Sequence, residues 1–227
     1  MRIVRAARNG LQAGSQAGFT ILELLVASTV FAVILLVVAV GVIRFTDSYY
    51  KGITSSKTQS TARAIMNEVG QSIQFGKNVT FLSNSGVSGV CIDNTLYAYK
   101  PGQQVTDSTP FQAHQSYHGL IATVAGDCSG AIPAAIITAL NAPATSGLPT
   151  NSRELLGQHM RLGALTVTPA GNLYTIRVKV IYGDDVLLYP AVTGSTVWSA
   201  EVCNGRVAGV QFCAVSDLST TVEKRLL

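Results

Sequence analysis

The sequence predicts an α+β protein in which one long N-terminal helix precedes a C-terminal region rich in strands. A predominantly apolar run, with Glu23 as its one ionisable residue, extends from Phe19 to Ile43. Apolar residues then recur at helical spacing to about Phe75, and short strand-like segments separated by turn residues follow from Val79 onward. Because consecutive strands joined by short turns favour an antiparallel meander, we expect a meander that packs on the second half of the helix.

The apolar run is long enough to cross a membrane. It contains about 25 residues, and as a helix it measures roughly 37 Å, against a hydrocarbon core of about 30 Å. Arg2, Arg5 and Arg8 precede it without any acidic residue among them. Since basic flanks stay on the cytoplasmic side, the sequence predicts a single-pass protein whose N-terminus is inside and whose chain beyond Ile43 is outside.

Glu23 is the only ionisable side chain in the apolar run. A carboxylate inside a membrane helix costs roughly 2.5 to 3.5 kcal/mol even on the lenient insertion scale, so it should have a partner. The run offers no lysine or arginine one or two turns away. We therefore expect another chain to supply the cation, and a free amino group one turn before the glutamate of a neighbouring helix would be suitable.

The stretch GFTILELLVAS resembles the processing and assembly signature of type IV pilins and the related pseudopilins. In that family a prepilin peptidase cuts after a glycine, the new N-terminal residue is N-methylated, and a glutamate stands fifth in the mature chain. The resemblance implies cleavage between Gly18 and Phe19, methylation of Phe19 and assembly through Glu23, with Thr20 at the usual small polar position. It also implies a pilin-like fold, although it covers only about 25 residues.

Two departures from the family pattern argue against the best-known major pilins. The leader is long for the commonest subclass, and the proline often found near the middle of the helix is absent, with Val40 and Gly41 in its place. A plain signal anchor is the alternative to the pilin-like interpretation. A secretory signal fits less well, because its cleavage site follows the apolar region whereas Gly18 precedes it.

We expect four parts along the chain. Residues 1–18 are a leader that is removed, 19–43 the membrane-spanning half of the helix, 44–76 its amphipathic stalk half, and 77–227 an extracytoplasmic β-rich region, called the head below. Three of the 16 basic residues lie in the leader, which leaves 13 against 12 acids. This balance leaves no excess of positive charge that would favour nucleic acid, so no DNA binding is inferred.

The four cysteines all lie beyond the apolar run, where disulfides persist. Three connectivities are possible; the shortest-loop solution joins Cys203 to Cys213 and Cys91 to Cys128. Metal binding is the alternative, but the sequence has no C-x-x-C pair and no histidine near these cysteines. Pairing therefore predicts two structural crosslinks in the head.

The helix and strand candidates have different periodicities. Ile65, Val69 and Ile73 recur at four-residue steps, with Ala62 and Met66 alongside, and predict a helix from about Phe19 to Phe75 that stops at Gly76. The strand candidates are VTFLS, GVSGVCI, LYAYK, GLIATVA, NLYTIRVKVIY, TVWSAEV, RVAGVQFCAV and, at an edge, TTVEKRLL. AAIITAL is either a short helix or a loop, and VLLYP is expected to return antiparallel after the turn at Gly183.

Other combinations of residues give no site. His114 and His118 are four apart, but the surrounding glycine and proline favour a loop, and we expect two ordinary surface histidines rather than metal ligands. Asp184 and Asp185 resemble turn residues more than a calcium site. The sequence has no Ser/His/Asp pattern, phosphate loop or dinucleotide fingerprint, so we predict no enzyme activity and no cofactor.

Three functions fit these features. The first is a structural subunit, minor rather than major because of its large head, of a type IV pilus or related filament. The second is a pseudopilin of a type II secretion system, and the third is a membrane-anchored adhesin or receptor that never polymerises. The first two predict as partners a prepilin peptidase and methyltransferase, other pilin or pseudopilin subunits, and membrane lipid before assembly.

Overall fold

The computed structural model describes residues 18–105, 117–124, 130–141, 148–189 and 202–225. The chain divides into two compact units, one up to Thr46 and one from Asp47 onward. The helices are α1 (Ile21–Phe75) and α2 (Ala134–Asn141). The strands are β1 (Val79–Asn84), β2 (Val87–Ile92), β3 (Thr95–Tyr99), β4 (Leu120–Val124), β5 (Ser152–Glu154), β6 (Met160–Ala170), β7 (Leu173–Tyr182), β8 (Leu188–Tyr189), β9 (Val202–Cys203) and β10 (Ala214–Glu223).

The predicted long helix is confirmed as α1, which begins two residues later than expected and ends at Phe75 as expected. Gly76 follows it at a point where a Cβ atom would lie 2.6 Å from Ile92 Cγ2 and 2.6 Å from the carbonyl oxygen of Ser72. A larger residue therefore cannot fit there without displacing backbone. The polar stretch in the middle is also helical, and the Thr58 hydroxyl is satisfied within the helix by donating to the Thr54 carbonyl oxygen at 2.7 Å.

The first sheet is the predicted meander. It has five antiparallel strands in the order β1-β2-β3-β4-β5. The β1–β2 turn is Ser85-Gly86, with φ of 53° and 77°, the left-handed pair that a two-residue hairpin requires. The predicted strands VTFLS, GVSGVCI, LYAYK and GLIATVA are confirmed as β1 to β4.

The second sheet differs from the prediction. Its order is β10-β7-β6, so β7 pairs with β6 before it and with β10 near the end of the chain. The predicted return of VLLYP along β7 is wrong: Asp185–Leu187 forms a turn of 3₁₀ helix, and β8 pairs with β9. The strand expected through RVAGVQFCAV is wrong up to Cys213, with a 3₁₀ turn at Val210–Phe212, and only its last two residues belong to β10. The predicted edge strand TTVEKRLL is confirmed only up to Glu223, where β10 ends, and most of TVWSAEV lies outside the described residues.

The core lies between one face of α1 and both larger sheets. Ala62, Ile65, Val69 and Ile73 are at most 2% exposed, as their spacing predicts. They belong to one cluster with residues of both sheets: Val90, Tyr97, Leu120, Leu162, Ile176 and Val178. A second cluster places α2 against the five-stranded sheet through Ile136 and Leu140, so AAIITAL is a helix rather than a loop. The predicted α+β fold is confirmed.

The C-terminal residues of the described chain contact the C-terminal end of α1. The Arg225 amide donates to the Gln74 carbonyl oxygen at 3.0 Å, and Lys224 Nζ donates to the Lys77 carbonyl oxygen at 2.5 Å. The Arg225 guanidinium lies 5.5 Å from the ring centroid of Phe75, a cation–π distance. The Arg225 amide therefore satisfies a carbonyl group that the helix leaves unpaired at its C-terminus, and the Lys224 ammonium bonds a carbonyl group just beyond the helix end.

Tyr97 makes the unfolding free energy sensitive to alkaline pH. Burial raises its pKa from 10.0 to about 12, and its hydroxyl lies 2.9 Å from Ser72 Oγ. Since the unfolded chain loses this proton first, the stabilisation is complete below pH 10 and is lost as the pH rises to about 12. We expect the detergent-solubilised chain to lose about 2 kcal/mol more than a Tyr97→Phe variant between pH 9 and 12.

Chemical denaturation at several pH values measures this difference, with tyrosinate absorbance as a second readout. Tyr99 is the internal control, because burial also raises its pKa and it is present in both chains. Equal pH profiles for the two chains would contradict the assignment to Tyr97.

Candidate functional site

The first turn of α1 is capped by Thr20. Its hydroxyl oxygen accepts the Glu23 amide at 3.2 Å, and its carbonyl oxygen accepts the Leu24 amide at 3.1 Å. This is the geometry of an N-cap residue, which satisfies an amide that the helix leaves unpaired. The family resemblance predicted only that a small polar residue stands at the position of Thr20. The spacing T-x-x-E, a capping-box signature, is the sequence signal that identifies the role of Thr20.

Glu23 is the third residue of the helix, where a carboxylate is favoured by the helix dipole. Its side chain is exposed, and no cation among the described residues of this single chain lies within ion-pair distance. The capped turn therefore presents a carboxylate about one helical turn beyond Phe19. It has a defined backbone position and no counter-charge within the described part of its own chain.

The surface around Glu23 is apolar and uncovered. Every residue from Phe19 to Ile43 is exposed, and Leu22, for example, is 73% exposed. The helix contains an 18-residue window of mean hydropathy 2.9 of which none is buried, so it is long and apolar enough to cross a membrane. In water this surface would be unfavourable, and lipid or other protein must cover it.

The hydroxyl groups of the apolar run need no external partner. Ser28 Oγ donates to the Leu25 carbonyl oxygen at 2.9 Å, and Thr29 Oγ1 donates to the Val26 carbonyl oxygen at 2.8 Å. Such bonds to the preceding turn satisfy hydroxyls inside a membrane helix. Glu23 differs from them because its carboxylate has no such intrahelical partner among the described residues.

The histidine and aspartate candidates have local structural partners. His114 lies outside the described residues. His118 is largely buried rather than on the surface as expected, with Nδ1 3.4 Å from Glu154 Oε2, and the same carboxylate accepts the amides of Gly119 and Leu120. Within the described ranges no group of three or more His, Cys, Asp or Glu residues could hold a metal.

Asp184 and Asp185 face two different groups. Asp185 forms an ion pair with Arg161, which is 1% exposed and also donates to the Gly183 carbonyl oxygen at 2.9 Å. Asp184 accepts a hydrogen bond from Gln104 Nε2 at 3.1 Å. The two carboxylates thus fasten the turn after β7 to different neighbours, and nothing in the sequence signalled the buried arginine.

The cysteines in the described ranges are disulfide-bonded. Cys203 and Cys213 are joined to each other across ten residues of sequence. Cys91 is also disulfide-bonded, but its expected partner Cys128 lies outside the described residues. The bonded loop from Cys203 contacts α1, because the ring of Phe212 lies 5.2 Å from that of Tyr50. The pairing of Cys91 with Cys128 stays a prediction.

A capped apolar helix with one carboxylate in its first turn, followed by an α+β body, is the organisation of a pilin-like protein. Residues 14–39 match the family model described as the prokaryotic N-terminal methylation motif, so the chain carries the type IV pilin signature. Neither a curated protein nor a solved structure matches the chain.

The motif supports a type IV pilin-like or pseudopilin precursor. It implies processing by a prepilin peptidase and assembly with pilin subunits, and with the apolar helix it indicates membrane anchoring. A structural rather than catalytic role is what this motif suggests.

Proposed function

We propose that the chain is a structural, minor subunit of a type IV pilus or related filament, assembled through its N-terminal helix. The observation that carries the proposal is the isolated carboxylate of Glu23 on an otherwise apolar, fully exposed helix surface. The parts of the chain keep the boundaries given above: leader 1–18, filament core 19–43, stalk 44–76 and head 77–227.

Cleavage converts a membrane anchor into an assembly unit. Removing the leader after Gly18 takes away Arg2, Arg5 and Arg8, the charges that hold this end on the cytoplasmic side. It also creates an amino group on Phe19, one helical turn before Glu23. The mature helix then carries a cation and an anion at one end, within a surface that is otherwise apolar.

Pairing between neighbouring chains fixes the register of assembly. The Phe19 amine of one chain meets Glu23 of the next chain. At a staggered contact, a pair formed within one helix would leave the charges of the neighbouring helix without a partner. In a poorly hydrated bundle their attraction exceeds that of a surface pair. A register error leaves two buried charges unmatched, which costs several kcal/mol, so the pair selects one stagger.

The apolar residues from Leu24 to Ile43 supply the rest of the contact. Before assembly their exposed side chains lie in lipid, and afterwards they pack against similar helices in the filament core. Exchanging lipid for protein contacts costs little, since both are apolar. The head then lies outside the core, in a surface filament or a periplasmic one.

Mass spectrometry of sheared surface filaments tests the proposal. We expect a minor component whose N-terminal residue is N-methylated Phe19, with residues 1–18 absent. A dominant band would instead make the chain a major pilin. Absence from filaments of a chain that is nevertheless cleaved would favour a cell-bound pseudopilin. A chain that still begins at Met1 in cells that possess the peptidase would leave a plain anchored adhesin or receptor, and would overturn the proposal.

A further inference from the structure

Within the described ranges, the outer edge of β1 is an open sheet edge with none of the usual protection against pairing. β1 is the first strand of the five-stranded sheet, and no described strand pairs with its other side. Its sequence, VTFLSN, contains no charge and no proline. Phe81 at its centre is 52% exposed. A neutral, apolar edge of this kind is a template for pairing with another strand.

The other outer edges of the two larger sheets are protected. β5 has only three residues, and its Arg153 forms an ion pair with Glu68. β6 contains Pro169, and the Leu162 carbonyl oxygen at its edge accepts the Gly102 amide at 2.8 Å. β10 carries two acidic residues, of which Asp217 is bound by Arg177 through two hydrogen bonds. β1 is therefore the exception among these four described edges.

The register of the β1–β2 hairpin decides which backbone groups β1 presents outward. The two-residue turn makes Asn84 and Val87 a hydrogen-bonded pair, and such pairs alternate along an antiparallel ladder. Even-numbered residues of β1 therefore bond to β2, and the Asp93 amide continues this pattern by donating to the Asn78 carbonyl oxygen at 2.9 Å. The odd-numbered residues turn their N–H and C=O groups outward; they are Val79, Phe81 and Ser83.

We propose that β1 pairs antiparallel with β1 of a second copy of this chain, on a two-fold axis at Phe81. In this register Phe81 lies opposite Phe81, and Val79 lies opposite Ser83 of the other copy. All three outward residues then form hydrogen-bonded pairs, because each presents one donor and one acceptor. The two exposed Phe81 rings meet on the same side of the joined sheet and cover each other.

Charge does not oppose this contact. The nearest basic residue, Lys77, lies opposite the neutral Ser85 of the other copy, and the two Lys77 residues are roughly 27 Å apart. That separation exceeds the Debye length of about 8 Å at physiological salt, so their repulsion is screened. One strand pair buries less than the roughly 1,000 Å² of a stable interface, so a single contact is weak and gains strength by repetition.

The two-fold symmetry separates this contact from filament assembly. Successive subunits of a helical filament meet through two different surfaces, whereas β1 would meet its own copy. Because α1 packs on a face of this sheet, a two-fold axis normal to the sheet makes the α1 helices of the two copies run in opposite directions, so the pairing joins solubilised chains or two filaments of opposite polarity side by side. The pairing of two β1 strands does not depend on the proposed filament, and its test needs no filament.

Disulfide trapping with the full chain in detergent tests the pairing. A Phe81→Cys variant places two thiols across a pair with Cα atoms about 5.5 Å apart, within disulfide range. We expect mild oxidation to give a covalent dimer. Cys91, Cys203 and Cys213 are disulfide-bonded, and the unaltered chain is expected to stay monomeric on a non-reducing gel.

Ser83→Cys is the matched control, because Ser83 is exposed on the same face of the same strand. Its two copies would lie about 14 Å apart, so we expect about tenfold less dimer. Mixing Ser83→Cys with Val79→Cys should restore crosslinking, since these residues face each other. No dimer from the mixed Val79→Cys and Ser83→Cys chains, which both keep Phe81, or equal dimer from Ser83→Cys alone, would overturn the proposal, whatever the sheared filaments contain.

Discussion

Replacing Glu23 with alanine is expected to exclude the chain from filaments while leaving insertion and cleavage intact. The substitution makes the apolar run more apolar, so the helix still inserts, and it leaves Gly18 and Phe19 in place. It also leaves the Phe19 amine of a neighbouring chain without its counter-charge. Losing one partner of a buried pair costs about 3–5 kcal/mol, so incorporation should fall by about two to four orders of magnitude.

The amount of variant in sheared filaments, relative to the amount in membranes, measures this effect. Glu23→Gln keeps the shape and removes only the charge, so it should fail as alanine does. Asp47→Ala is the matched control, because it removes an exposed acid from the same helix beyond the apolar run. Normal incorporation of both Glu23 variants would contradict assembly through this residue.

Replacing Ile65 with alanine is expected to destabilise the α+β unit by about 2–5 kcal/mol. Ile65 is 2% exposed in the cluster where α1 meets both larger sheets, so truncation leaves a cavity that these elements cannot all close. Thermal or chemical unfolding of the detergent-solubilised chain measures the loss.

Ile53→Ala makes the same chemical change twelve residues earlier on the same helix. Ile53 is 45% exposed, so its truncation should change the unfolding free energy by less than about 1 kcal/mol. The gain in helix propensity from alanine is common to both variants and cancels in the comparison. Equal losses would show that Ile65 does not support the contact between α1 and the sheets.

Periodic features of the sequence predicted the helix and the first sheet well. The apolar run and the repeat through Ile65, Val69 and Ile73 gave α1 almost to its ends, because a helix face must be apolar where it is buried. The turns Ser85-Gly86 and Asp93-Asn94 separated three strands correctly. In each case the signal was local, within one element or one turn.

The second sheet was harder to predict because distant groups determine it. No strand was predicted at β6, where the register shifts between Leu162 and Ala164 and interrupts the two-residue period, and where Arg161 is buried. Arg161 is tolerated there because Asp185, after the next strand, pairs with it. The same pairing holds Asp185, the first residue of the 3₁₀ turn Asp185–Leu187, which stands where the hairpin was expected.

The residues of the proposed assembly site were predicted in part. The position of Glu23 and its lack of an internal cation followed from composition alone, and the family resemblance supplied the cleavage residues. The N-cap role of Thr20 depends on a side chain to backbone bond whose T-x-x-E signature is short and common, so only the structure distinguished it from a spacer.

The contacts of Lys224 and Arg225 with the end of α1 also bear on how the protein is made. The helix leaves the ribosome first, but the groups that close its C-terminal turn arrive about 150 residues later, so its most distant contacts form last. Translocation of nearly the whole chain must therefore precede completion of the fold. A polypeptide stalled or clipped shortly before Lys224 would reach the membrane with an open helix end, a ready target for quality-control proteases.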